Sequence, residues 1–279
     1  MKEIKYSDIV DSVSSICIDA NLYLSKDMEC KIEAAEGSEK SNLGRMVLGQ
    51  LRQNLEIAGE DKIPICQDTG MAVFFVELGQ EVHIEGSLTG AINDGVRKGY
   101  TEGFLRKSVV GDPLLRVNTK DNSPAIIHYD IVPGDNLKIT VAPKGFGSEN
   151  MSRLVMLKPA DGVDGVKKVV LDTVAAAGPN ACPPFVVGVG IGGDFELVAK
   201  LAKKALTRNT EERSHLTHIR ELEDELLGSI NALGIGPAGL GGSNTALAVN
   251  IETYPTHIAG LPVAVNMCCH VNRHKTVVL

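Results

Sequence analysis

Eight consecutive residues, Met71 to Leu78 (MAVFFVEL), form an apolar run rich in Val and Phe that begins directly after Gly70. A run this short, bounded by turn chemistry, predicts an interior strand. The pattern recurs at 124–132 (PAIIHYDIV) and 136–142 (NLKITVA), on either side of the turn-forming PGD, again after NACPP, where a strand leads through a glycine turn into a helix, and after GIGPAGLGGSN. Between these runs lie stretches of helical period. Residues 5–58 are mainly helical and include Asn42–Ile57, and further helices are expected over Leu88–Leu105 and Val163–Ala177, the latter closed by Gly178-Pro179. Another is expected over the charged, exposed stretch 210–232. Alternation of the two periods specifies an α/β chain, a helical N-terminal segment followed by mixed sheets flanked by helices. No tandem repeat or low-complexity linker breaks the 279 residues. We read 1–279 as one domain, with a subdomain division expected near Gly178.

Composition excludes several functions. The net charge of −7 gives no basic field to recruit nucleic acid or an acidic membrane surface. The N-terminal MKEIKYSDIV has no apolar signal core, and no apolar run approaches membrane-spanning length, so the expected compartment is the cytoplasm. Six cysteines in a chain of this length are too few for a disulfide scaffold. Cys17 and Cys30 fall in helical stretches and read as packed thiols. Cys66, Cys182, Cys268 and Cys269 instead stand at junctions marked by Pro, Gly, Asn or His, where ligands or nucleophiles sit as readily as core fillers.

Gly188, Gly190 and Gly193 satisfy GxGxxG after a strand-like run and before a helix, which is the grammar of a dinucleotide site. Such a site needs a second buried strand ending in an acidic residue about 20 residues on. Here the chain enters TRNTEERSHLTHIRELEDELL, which cannot be that strand. The Rossmann reading is therefore rejected, and a dinucleotide-binding redox protein remains only as the alternative of a different class. Structural zinc is disfavoured too, because no paired Cys or His knuckle is present. Three cysteines from distant loops could hold a metal centre with an open position, but spacing alone does not establish one.

Five motifs occur in one order: CQDTG, KGFGSENMSRLVMLKPADG, GPNACPPFVVGVGIGGDFELVAKLAKKAL, GIGPAGLGGSNTALAVNIE and HIAGLPVAVNMCCH. Together they resemble the α-subunit, or N-terminal half, of class I fumarate hydratases and the related L-tartrate dehydratases, over nearly the whole chain from about residue 40. The resemblance implies a [4Fe-4S] cluster held by Cys66, Cys182 and Cys269, its fourth iron lacking a protein ligand and binding the hydroxy acid. Cys268 stands where the family commonly has Gln and is read as a neighbour, not a ligand. Asp68 and His257 are implied as catalytic-site residues, and Gln67, Arg106 and Gly145 as substrate contacts. Phe146 departs from the family's KGGGS at the loop containing Gly145. In single-chain members the general base and further clamps lie in a C-terminal half, and this sequence stops at Leu279 before such a half. The resemblance therefore implies a β subunit as partner, a dicarboxylate substrate, and hydro-lyase activity between fumarate and (S)-malate, with L(+)-tartrate dehydration as the alternative.

Overall fold

The computed structural model describes residues 2–279. In chain order, β1 (Lys2–Ile4) leads into α1 (Tyr6–Leu22), α2 (Lys26–Ser38) and α3 (Asn42–Asp61). Strands β2 (Met71–Gly79) and β3 (Val82–Ile84) precede α4 (Leu88–Glu102), and β4 (Ile126–Val132) and β5 (Leu137–Lys144) follow it. The short α5 (Phe146–Glu149), β6 (Arg153–Leu157), α6 (Gly162–Ala177) and β7 (Phe185–Gly193) come next. Then come α7 (Leu197–Ala205), α8 (Thr217–Ala232), β8 (Ala246–Thr256), β9 (Leu261–Cys268) and β10 (Lys275–Val278). The α/β class and its mixed sheets are as the sequence predicts.

Two compact units divide these elements, each built from separated pieces of chain. The first comprises the chain up to Ser25, Leu55–Phe146 and Arg273–Leu279. Its four-stranded sheet has the order β10-β5-β2-β4, with β2 parallel to β4 and antiparallel to β5. The apolar run that predicted a strand is β2 itself, with Phe74 and Val76 in a core shared with Ile9 and Val13 of α1 and Ile92 and Val96 of α4. Gly95 and Gly99 let α4 lie against α1: a Cβ on Gly95 would come within 2.6 Å of the Val13 side chain, and one on Gly99 within 2.8 Å of the Ser14 carbonyl oxygen.

The second unit comprises Lys26–Asn54 and Gly147–Asn272. Its sheet has the order β6-β9-β7-β8, with β7 parallel to β8 and antiparallel to β9. Val187 and Val189 of β7 face α6 and α8 in the main core, whereas Gly188 and Gly190 alternate to the other side, where α7 lies. A Cβ on Gly188 would sit 2.2 Å from the Ala202 carbonyl oxygen, and one on Gly190 2.2 Å from that of Val198. Two glycines of the GxGxxG pattern thus lie inside a strand and serve helix-on-sheet contact. Gly178 lies within this unit, between α6 and β7.

Three expectations need correction. The helix over 210–232 begins only at Thr217, and it is not simply exposed: Ile219, Leu222, Glu223, Leu226 and Ile230 are buried. The helix from Leu88 stops at Glu102, where the Gly103 N–H caps it by donating to Gly99. Cys268 is no loop residue but the last residue of β9, buried and in register with Val186. Among the described residues no helix is long and apolar enough to cross a membrane.

Candidate active site

In the first unit the loop before β2 is fixed by backbone contacts at each end. The Ile65 N–H donates to the Asn21 carbonyl (2.9 Å), and Gly70 adopts φ +76° where a Cβ would meet the Lys144 backbone at 2.8 Å. Between these anchors Cys66 is half-buried and Gln67 exposed, with the Cys66 thiol donating to Gln67 Oε1 (3.2 Å). Asp68 is clamped. Its Oδ1 accepts from the Gly70 N–H (3.0 Å) and its Oδ2 from the Phe146 N–H (2.9 Å). A side chain on Gly145 would crowd Oδ2 at 3.1 Å. Phe146, the departure from KGGGS, thus serves Asp68 through its backbone, and its side chain is exposed.

Arg106 is drawn to this loop by Thr69. The Arg106 N–H donates to Thr69 Oγ1 (2.9 Å), and that hydroxyl donates back to the Arg106 carbonyl (3.2 Å). Buried Asn122 accepts from the Ser108 and Val109 N–H groups (2.7 and 3.2 Å) and donates to the Gly70 carbonyl (3.1 Å). Tyr100 donates to the Thr69 carbonyl (2.9 Å), and burial pushes its phenol well above the ordinary range, so it stays a neutral donor. The Arg106 guanidinium is left exposed, with no hydrogen bond among the described residues. Arg273, itself 5% exposed, donates to the backbone carbonyls of Asp68 and Pro143.

In the second unit a 3-10 turn, Gly178–Ala181, delivers Cys182 in a left-handed conformation (φ 54°, ψ 68°) with its side chain exposed. The Cys182 carbonyl accepts from the His270 N–H (3.4 Å) and lies 3.1 Å from His270 Nδ1. Cys182 and the half-buried Cys269 therefore stand on adjoining loops at one end of the sheet, where β7 begins and β9 ends. His257 does not join them. It is exposed in the turn between β8 and β9, at the opposite end of β9, roughly 25 Å away at the usual rise of a strand.

A family model described as fumarate hydratase (fumerase) matches residues 10–278. The chain belongs to the fumarate hydratase family. Its relatives include a Methanocaldococcus jannaschii protein provisionally named L(+)-tartrate dehydratase subunit alpha, 43% identical over 95% of each chain. An Escherichia coli (strain UTI89) L(+)-tartrate dehydratase subunit alpha is 34% identical over 90% of this chain and 84% of its own. One from Shigella boydii is 32% identical over 91% and 84%. Membership makes the chain a hydro-lyase.

For a fumarate hydratase of the iron–sulfur type the donor chemistry fits. Cys66, Cys182 and Cys269 lie on loops, accessible and outside any disulfide, whereas Cys17 and Cys268 are buried in a helix and a strand. Burial also drives the Cys17 thiol well up, which disfavours the thiolate a metal needs. No three His, Cys, Asp or Glu side chains within the described residues are already gathered as for one metal ion. Thr69, Tyr100, Asn122 and Arg273 are missed by sequence reading. Their partners are backbone atoms distant in sequence, and no periodicity reports such pairs.

Proposed function

We propose that this chain is the α-type subunit of an iron–sulfur hydro-lyase that interconverts fumarate and (S)-malate. The observation that carries the proposal is the family match over residues 10–278. Cys66, Cys182 and Cys269 would hold a [4Fe-4S] cluster. When bound, it would supply a Lewis-acidic iron, without a protein ligand, to the substrate hydroxyl.

The remaining roles belong to side chains. Arg106 offers a planar donor fork suited to a carboxylate, and its loop is held beside the CQDTG turn by Thr69 and Asn122. Gln67 supplies an amide that can donate to the second carboxylate. Asp68, fixed by two N–H groups, presents its carboxylate to the substrate hydroxyl in one orientation. Gly145 leaves room for substrate to approach the backbone beside Asp68. A β-type subunit would contribute the general base and further clamps. His257 keeps its family role only as an expectation.

A second reading, L(+)-tartrate dehydration, is favoured by the names of the relatives. Tartrate differs from malate by one hydroxyl. A site built to hydrogen-bond that group rejects the analogue lacking it by about 10⁴-fold or more. Anaerobic co-expression with a β-type chain, followed by kcat/KM for both acids, tests the choice. Single Ser replacements of the cysteines test the ligand set. Cluster iron and sulfide should be lost with Cys66, Cys182 or Cys269 and kept with Cys268→Ser. Retention in all three of the former would remove the ligand assignment.

A further inference from the structure

Glu39, in the turn between α2 and α3, is 1% exposed. A carboxylate buried to this degree needs donors, and it has five. They are the N–H groups of Ser41 (2.9 Å), Ser243 (2.8 Å) and Asn244 (2.9 Å), the Ser243 hydroxyl (3.1 Å) and the Asn244 amide (2.9 Å). Burial by itself would raise the Glu39 pKa, but the hydrogen bonds outweigh it and hold the group down to about 2. All but the Ser41 donor come from the end of the glycine run GIGPAGLGGSN, a motif given no role in the proposed reaction.

That run is folded too tightly to be a passive linker. A Cβ on Gly236 would lie 2.2 Å from the Gly241 carbonyl carbon, and one on Gly242 2.7 Å from Glu39 Oε1. Its other side bears on the turn that carries Cys182. Gly239, at φ +74°, would place a Cβ 2.4 Å from Pro179 Cβ, and the Ala238 N–H donates to the Pro183 carbonyl (2.9 Å). Pro179 and Pro183 bracket Cys182, whose own N–H donates to the Pro179 carbonyl (3.1 Å). Contacts thus run unbroken from Glu39 through the glycine run to the left-handed cysteine.

We propose that Glu39 is a positioning residue for Cys182, acting through the glycine run to hold that thiol in the orientation a cluster ligand needs. The functional consequence rests on Cys182 being a ligand, whereas the positioning itself does not. The full-length chain, metal-free and reduced, is therefore tested first. Alkylation of each cysteine by iodoacetamide is followed by peptide mass spectrometry in the wild type, Glu39→Gln, Glu39→Asp and Gly239→Ala, with Cys66 and Cys30 as internal references. Glu39→Gln keeps the shape but turns an amide N–H₂ toward existing donors. The Cys182 rate should change several-fold while the references hold, Gly239→Ala should reproduce the change, and Glu39→Asp should partly reverse it. Anaerobic reconstitution of the same variants should give a lower yield of the visible cluster absorption. An unchanged Cys182 rate in folded Glu39→Gln overturns the proposal, as does a rise shared equally by all cysteines, which would mean general loosening. Should Glu39→Gln fail to fold, an unchanged rate in Gly239→Ala overturns it equally. Cluster assembly in Cys182→Ser would refute the ligand reading and leave the alkylation result standing.

Discussion

Asn122 is fully buried and gives its whole amide to the backbone, to two N–H groups beside Arg106 and one carbonyl in the CQDTG turn. Asn122→Ala leaves these groups without their partner, and an unsatisfied buried polar group costs about 1–3 kcal/mol. Urea denaturation of this variant should show a loss of that size, and the KM for dicarboxylate should rise because the Arg106 loop is no longer tied. Unchanged stability and KM would make Asn122 incidental. Glu39 predicts a pH dependence. Its folded pKa, about 2, lies below the ordinary 4.5. Its stabilisation is therefore complete above the unfolded value and is lost as pH falls from about 4.5 toward 2, on the order of 3 kcal/mol in all. Urea midpoints of wild type and Glu39→Gln, measured at neutral pH and near pH 3, should converge in acid. An equal gap at both pH values would refute the assignment. Neither residue is legible in the sequence. Asn122 sits in a polar loop and Glu39 in a helix-to-helix turn, and both pair with atoms far along the chain. The accessible thiols differ, since Pro, Gly and His beside Cys66, Cys182 and Cys269 mark loop positions directly.

Strand β7 shows what hydrophobic pattern can and cannot reveal about an element. Its existence follows from Phe185-Val186-Val187, and α7 follows from Leu and Ala at helical spacing, because both signals come from burial of one face. The purpose of Gly188 and Gly190 does not follow, since GxGxxG has the same letters whether the glycines meet a pyrophosphate or a helix backbone. The missing second strand argues against the nucleotide, and the 2.2 Å approach to α7 carbonyls supplies the alternative. Gly190→Ala should accordingly force α7 away from the sheet, where Val198 and Ala202 are fully buried, and cost about 3 kcal/mol as overpacking does. Thermal melting checks this, with NAD expected to leave the wild-type transition unmoved. A tolerated alanine would show the helix contact to be soft. The misjudged start of α8 has a related cause. Residues 210–216 share the charged composition of the helix that follows, but the Ser214 N–H is turned toward Glu223 and Arg213 ion-pairs with Asp224. Composition cannot separate a helix from a loop folded back upon it.

The family match spans residues 10–278, and the relatives quoted above are named subunit alpha, which motivates the β-type partner in the proposed function. A hydro-lyase needs a base within hydrogen-bond reach of the carbon-bound proton. The Asp68 carboxylate is oriented by the N–H groups of Gly70 and Phe146 and is assigned to the substrate hydroxyl. The Tyr100 phenol is buried, with its pKa driven far up. The His270 ring faces the Cys182 carbonyl, and His257 stands at the far end of β9. None of these groups is given the base's role in the proposed reaction, and the proposal expects the base from a second polypeptide. The chain purified by itself from a host lacking fumarate hydratases, with its cluster reconstituted anaerobically, should turn over neither malate nor tartrate. Adding a separately purified β-type chain should restore activity, rising until the two chains are equimolar and then levelling. Substrate should still bind weakly to the lone chain through Arg106, a contact that Arg106→Lys would lessen by giving up the bidentate fork. Turnover by the lone chain at a rate the second chain does not change would mean that one of the residues set aside above, Asp68 first among them, is the base after all.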